Sequence, residues 1–271
     1  MRSFARTSAR ATSSVVRACL RQRNATPKCA SAGSPILVAQ GRFMGGLASK
    51  LDEVTAEIPM KEAVRYKKGN LKWTRSDVKK HSEALSCGLL ELGCKAGDTV
   101  AMWLPESSEK HVAQLAAARI GMVVADVDHK LSSAEAIAKV LEDAGAVVAV
   151  VDDAFASALY EAVPELRHYN TESGLPFRSS KFPNLRLCVH TGFDREPAIL
   201  NFRSLLLYTP PVSPLHTING KVKENAPLHT NFVEGNGGTP QKGETLSHAD
   251  VLRLEAWPTV AAILDKKYVE V

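Results

Sequence analysis

Gly97-Asp98-Thr99-Val100-Ala101-Met102-Trp103-Leu104-Pro105 sets an uncharged, largely apolar run, Thr99–Leu104, between a turn and a proline. A strand with one solvated face alternates apolar and polar residues. A run without alternation is expected of a strand covered on both faces. Downstream, Glu109 to Ile120 reads as an Ala-rich helix ended by Gly121, and Met122 to Ala125 as the next strand. Ser132 or Ser133 caps a further helix that runs to Asp143, with Glu135 near its start. Ala146 to Val151 is another apolar strand, stopped by Asp152-Asp153. Upstream, Leu71-Lys72-Trp73 reads as a short strand. Thr74 then caps a helix, with Asp77 as its box-like partner; Val78, Leu85, Leu89, Leu90 and Leu92 form the apolar stripe, and Gly93 ends it. Strand and helix in alternation predict an α/β fold built on a doubly wound, mainly parallel sheet.

Beyond residue 160 the pattern loosens. Pro164, Pro176, Pro183, Pro197, Pro210, Pro211 and Pro214 punctuate the chain, leaving a strand at Leu185–Val189 and a short helix around Phe202–Leu207. An apolar segment, Leu228–Val233, leads into Gly235-Asn236-Gly237-Gly238-Thr239-Pro240, and Ala249–Leu254 reads as helical. The organisation expected is residues 1–43 as a targeting segment, 44–70 as an extension and 71–160 as the α/β core. Residues 161–227 form a Pro-rich continuation, and 228–271 carry the Gly-rich loop and the C-terminal segment.

The first fifty residues contain no Asp or Glu. They carry Arg2, Arg6, Arg10, Arg17, Arg21, Arg23 and Arg42 among Ser and Thr, and the first three share one helical face. This is the composition of a mitochondrial transit peptide, with Arg42-Phe43 as the expected cleavage point. The whole chain has 34 Lys and Arg against 29 Asp and Glu; eight of the cations lie in residues 1–43, which leaves 26 against 29, a formal charge of −3. The basic balance therefore belongs to the address, and nucleic acid is not an expected partner. No apolar run reaches the ~20 residues of a membrane span, so no transmembrane segment is expected. Cys87 and Cys94, seven apart with no histidine at ligand spacing, read as packing residues, and no metal site is expected.

The order and spacing of several pieces carry a resemblance. Leu71-Lys72-Trp73-Thr74, Leu92-Gly93, Gly97-Asp98-Thr99-Val100-Ala101, Leu104-Pro105, Ala116-Ala117-Ala118-Arg119-Ile120-Gly121 and Leu141-Glu142-Asp143 resemble the N-terminal part of adenylate-forming enzymes. These are the acyl-CoA synthetases, luciferases and peptide-synthetase adenylation domains. Phe182-Pro183-Asn184-Leu185 through Thr191-Gly192 is similar to that family's next strand, and Lys242-Gly243 with Leu246-Ser247-His248 to the tail of its phosphate loop. The likeness spans roughly residues 50–255. It implies ancestry in enzymes that join a carboxylic acid to AMP and pass the acyl group to a thiol such as coenzyme A.

The family's phosphate loop reads approximately Ser-Gly-Thr-Thr-Gly-x-Pro-Lys-Gly. Glycines let backbone amides close on the phosphates, hydroxyls donate to the oxygens and the lysine adds charge. The stretch here, Glu234 to Gly243, keeps Gly235, Gly238, Pro240, Lys242 and Gly243 as candidate nucleotide-binding residues, with Gln241 as an insertion. The Ser and two Thr positions hold Glu234, Asn236 and Gly237. Hydrogen bonds to a charged group are worth about 1.5–3 kcal/mol each. A carboxylate at about 4 Å from a phosphate oxygen is repelled by ~4 kcal/mol at a surface-like dielectric, less where magnesium bridges the two. The loop thus reads as a decayed cradle or a plain surface turn. The family's ribose-binding acid, metal-binding carboxylate and C-terminal lid lysine have no counterparts in these residues.

No other catalytic motif is present: no Gly-x-Gly-x-x-Gly after a strand, no His-Glu-x-x-His, no Gly-x-Ser-x-Gly. His248 matches a family position beside the loop but reads as a helix-start residue. His81 and His111 lie on helices, and Trp73 and Trp103 read as core. No catalytic residue is assigned, and no cofactor is expected; ATP with Mg and coenzyme A apply only where the ancestral activity survives. The first reading is a pseudoenzyme, an accessory subunit among other mitochondrial proteins in a multi-subunit complex, on the matrix side, with the respiratory chain or ATP synthase as candidates. Such a protein is expected to expose an apolar surface. The alternatives are half of a split acid–thiol ligase, an acyl or nucleotide sensor, and a truncated gene product.

Overall fold

The computed structural model describes residues 46–170, 177–207, 213–218 and 220–271, so the transit-peptide reading lies outside the described residues. A first helix, α1 (Leu47–Glu57), precedes the hairpin β1 (Glu62–Tyr66) and β2 (Leu71–Thr74), then α2 (Arg75–Glu91). The core units follow: β3 (Thr99–Trp103), α3 (Ser108–Ile120), β4 (Val123–Val127), α4 (Ala134–Ala144), β5 (Val148–Val151) and α5 (Ala156–Ala162). The chain continues through β6 (Leu187–His190), β7 (Leu200–Asn201), α6 (Phe202–Leu206), β8 (Pro227–Glu234) and β9 (Pro240–Ser247). It closes with α7 (His248–Arg253), α8 (Pro258–Leu264) and β10 (Val269–Glu270).

One seven-stranded sheet in the order β7-β6-β5-β3-β4-β8-β9 forms the body, parallel except for β9, which pairs antiparallel with β8. A small sheet, β10-β1-β2, stands apart. The unalternating run predicted to be covered on both faces is so. Val100 and Met102 pack with Leu85, Val112, Leu115 and Ile263, on the side of α2, α3 and α8. Ala101 and Trp103 face the other way, with Ile137, Leu141 and Leu159 of α4 and α5. The doubly wound expectation holds, because α3 and α4 follow adjacent strands but cover opposite faces.

The helix signals worked as chemistry. Thr74 accepts from the Asp77 amide while the Asp77 carboxylate accepts from the Thr74 amide. Of the two candidate serines, Ser133 caps α4. Gly121 ends α3 at φ 84°, where a side chain would be strained. Cys87 and Cys94 are buried, as packing residues should be. The expected strands at 185–189 and 228–233 and the helix at 249–254 appear within two residues of those bounds. Residues 240–247, read as loop tail, are instead a strand.

α1 is tied down by charge. Arg119, almost fully buried in α3, donates two hydrogen bonds to the Asp52 carboxylate, at 2.8 and 2.9 Å, and Lys79 reaches Asp52 at 3.1 Å. Among the described residues, the large exposed apolar side chains are Met60, Leu71, Phe193, Leu207, Val233, Leu254 and Tyr268. They are distributed over the small sheet and its entry, the loop after β6, the end of α6, β8 and the end of α7.

Candidate functional site

In an open parallel sheet, ligands bind beyond the carboxyl ends of the strands, where neighbouring strands send their helices to opposite faces. That position lies between β3 and β4. β8 pairs beside β4 and runs the same way, so its end delivers the Gly-rich stretch to this edge.

The stretch is a hairpin turn. Glu234 and Pro240 form the last register pair of β8 and β9, and between them the Gly235 amide donates to the Thr239 carbonyl at 2.8 Å. Gly237 and Gly238 both sit at φ 76°, in the left-handed region that only glycine enters without strain. Gly235 is glycine for a different reason: a Cβ there would lie 2.5 Å from Cγ of Gln241. Of the candidate residues, Gly235 and Gly238 are thus in the turn, while Pro240, Lys242 and Gly243 are on β9.

The ladder explains the extra residue. Thr230 pairs with Thr245 and Phe232 with Lys242, two steps on β8 against three on β9. The surplus is taken up as a bulge on β9 opposite Asn231. Gly243 lies in it, where a Cβ would come within 3.1 Å of the Asn231 carbonyl. Lys242 shares a register pair with Phe232, which packs toward α4 and α5, and its Nζ donates to the Asp143 carbonyl at 3.3 Å. A cation there complements the negative end of α4.

His248 opens α7 behind a second capping box, Ser247 with Asp250. It is 1% exposed, and its Nδ1 accepts the Leu47 amide at 3.2 Å, capping α1. Burial pushes its pKa down to about 4, so it stays neutral as that acceptor. The helix-start reading of this residue is therefore extended: it begins one helix and caps another.

Sequence reasoning passed over a second group at the same edge. Glu106 follows β3, Lys110 and His111 lie on α3, and Asp126 is on β4. His111 Nε2 is 2.9 Å from Glu106 Oε2, and its Nδ1 is 3.0 Å from the Tyr66 hydroxyl. Glu106, held down to about pKa 2 by the His111 hydrogen bond and by Lys110, is an acceptor only. Nε2 then carries a proton toward Glu106, and in the neutral ring Nδ1 accepts from Tyr66. Burial, with Glu109 and Glu106 nearby, pushes the tyrosine pKa up and keeps that donor protonated. Lys110 bridges Glu106 at 2.9 Å and Asp126 at 3.1 Å. The signal was Pro105-Glu106 at a strand end with Lys110-His111 one helical turn on, but helix periodicity alone assigns such residues to a solvated face. Among the described residues no three His, Cys, Asp or Glu side chains cluster as a metal site, and no helix is long and apolar enough to cross a membrane.

Comparison with known proteins bears on this geometry. A model of the AMP-binding enzyme family matches residues 51–204. The medium-chain acyl-CoA ligase ACSF2, mitochondrial, of Macaca fascicularis is 26% identical over 208 residues, which is 74% of this chain and 33% of that protein. Its Danio rerio counterpart is 26% identical over 210 residues, covering 74% and 34%. The chain thus spans about a third of the length of these curated relatives. Among solved structures, the inhibitor-bound N-terminal domain of FACL13 from Mycobacterium tuberculosis superposes with a TM-score of 0.65 at 14% identity, covering 84% of this chain and 57% of that one. Acetoacetyl-CoA synthetase from Streptomyces lividans gives 0.63 at 18% identity, covering 83% and 38%. The α/β fold expected from the sequence is the fold of these neighbours.

Proposed function

This chain belongs to the AMP-binding enzyme family, and from that premise we propose that it is an acyl-CoA-synthetase-like protein that forms no acyl adenylate itself. It serves as an accessory subunit of a mitochondrial protein complex, with the respiratory chain and ATP synthase as candidate assemblies. One observation carries the loss of chemistry: the β8–β9 turn presents a carboxylate and lacks the hydroxyls its ancestry implies. Glu234 ends β8 where the family pattern has Ser, Gln241 packs against Gly235, and Lys242 is engaged at the end of α4. Those residues do not fit a triphosphate. The acid-free, Arg-rich start of the sequence and the mitochondrial relatives support the compartment.

Titration calorimetry of the purified chain with ATP and Mg, then with acyl-CoA, tests the first half. Heat no greater than dilution is expected. Binding, or release of pyrophosphate on adding a fatty acid, would overturn the reading and bring the sensor or split-ligase alternatives forward. Native-gel fractionation of gently solubilised mitochondria tests the second half. Co-migration with a large inner-membrane complex is expected, and migration alone refutes the accessory role.

A further inference from the structure

Residues 236 and 237 are an Asn-Gly pair, set in the turn between β8 and β9. Gly237, Gly238 and Thr239 are exposed. Gly237 stands at φ 76°, and a Cβ built on it would meet nothing within 4 Å, so the space beside its Cα is open to water. Asparagine followed by glycine has a reaction of its own. The nitrogen of the peptide bond between the two closes on the carboxamide carbon, ammonia leaves, and a five-membered succinimide forms. Water then opens the ring at one carbonyl or the other, giving aspartate or isoaspartate. Water is the sole co-reactant. A following residue without a side chain leaves that nitrogen free to approach, and glycine gives the backbone the freedom to bring it round.

The structure separates this position from other asparagines. Asn231 lies inside β8 and precedes the buried Phe232. Asn201 precedes the buried Phe202, and its carboxamide accepts from the Arg203 amide at 2.9 Å and donates to the Gly192 carbonyl at 2.6 Å. Asn70 precedes Leu71 and accepts from Arg65 at 3.3 Å. Each of these three has a bulky neighbour in the way of ring closure, and two have the carboxamide held. Residue 236 precedes a glycine in an open turn.

We propose that Asn236 is a site of spontaneous deamidation, so that the turn acquires a second carboxylate, two residues from Glu234, as the molecule ages. The change is local and one-way. Added negative charge strengthens the repulsion of anions from the turn. The isoaspartate product also routes the main chain through the side-chain carbon. That places an extra methylene between Glu234 and Pro240, the last register pair, and loosens the hydrogen bond from the Gly235 amide to Thr239. The proposal does not depend on whether the Gly-rich turn binds nucleotide.

The test ages the folded full chain at neutral pH for several days and maps its peptides by mass spectrometry. Asn219→Gln is included because 219–220 is the sequence's other Asn-Gly pair. The peptide holding residue 236 should gain one mass unit, with a succinimide form lighter by one ammonia as the intermediate. Protein isoaspartate methyltransferase with S-adenosylmethionine should methylate the aged chain and leave fresh chain and aged Asn236→Ser chain unmodified. Gly237→Ala should slow the reaction severalfold. Hydrogen exchange at the Gly235 amide should quicken on ageing while core amides stay unchanged. A residue 236 that stays intact in the folded chain, while a free peptide of the same sequence reacts, overturns the proposal, because the turn then shields it. So does conversion at Asn70, Asn201 or Asn231 as fast as at 236.

Discussion

Acidification should unlock α1 through His248. Unfolded, a histidine titrates near 6.5; folded, this one is held to about 4 by burial. The unfolded chain therefore binds more protons below about pH 6.5, and stability falls as pH falls from there toward 4. At about pH 5 the unfolded ring is almost fully protonated and the folded ring is not, so the group costs about 2 kcal/mol relative to its contribution near pH 8. His229, also pushed down to about 4 by burial, adds a similar amount. Two substitutions separate protonation from packing. His248→Asn places an amide oxygen near the position of Nδ1 and keeps an acceptor for the Leu47 amide, without a titrating group. His248→Phe removes the acceptor and leaves a buried amide unsatisfied, at about 1–3 kcal/mol. Urea unfolding of the parent and both variants at about pH 8 and about pH 5 gives the differences. The Asn variant should lose about 2 kcal/mol of the pH-dependent swing, and the Phe variant should lose the same swing and be less stable at both pH values. If the swing in His248→Asn equals that of the parent, the ring is not the neutral acceptor described, and the reasoning fails.

Three further outcomes are expected. Asp52→Ala removes the main partner of the buried Arg119 guanidinium, leaving Glu83 at 3.7 Å, and should cost about 3 kcal/mol, while Asp52→Leu with Arg119→Met should cost less; a double-mutant cycle by urea unfolding decides. Gly238→Ala forces a side chain to φ 76° and should destabilise the hairpin by about 1–2 kcal/mol, read as faster hydrogen exchange at the Gly235 amide with core amides unchanged. Lys242→Met loses an exposed contact to the end of α4 and should change global stability by less than about 1 kcal/mol in thermal unfolding; a larger loss would mean that the Asp143 carbonyl depends on it.

The parts of the fold legible in the sequence were those governed by local chemistry. Capping residues at Thr74 and Ser133, the stop at Gly121 and the unalternating run at 99–104 each report their surroundings within a few residues, and together they specify a parallel sheet. β9 was not legible because Pro240-Gln241-Lys242-Gly243-Glu244 carries no strand period; pairing with β8 makes it a strand. β10 and β1 are equally quiet, and they find each other across two hundred residues. At the candidate site the Gly-rich turn stood out because glycines at left-handed positions leave a compositional mark. The Tyr66–His111–Glu106 chain did not, since its three members come from separate elements and only the tertiary fold brings them together.

The bulge at Gly243 has a bearing on how sheets of this size stay separate. An eight-residue outer strand is ordinarily an invitation to a stray chain, because one side of its amides and carbonyls is unsatisfied. Here that strand begins with a proline, is kinked at its middle by a surplus residue and carries a lysine and a glutamate. At the opposite margin the final strand, β7, is only two residues long. Lateral growth of the sheet is discouraged at both margins, so aggregation through the flanks is disfavoured and association with other molecules is left to the loops and helices.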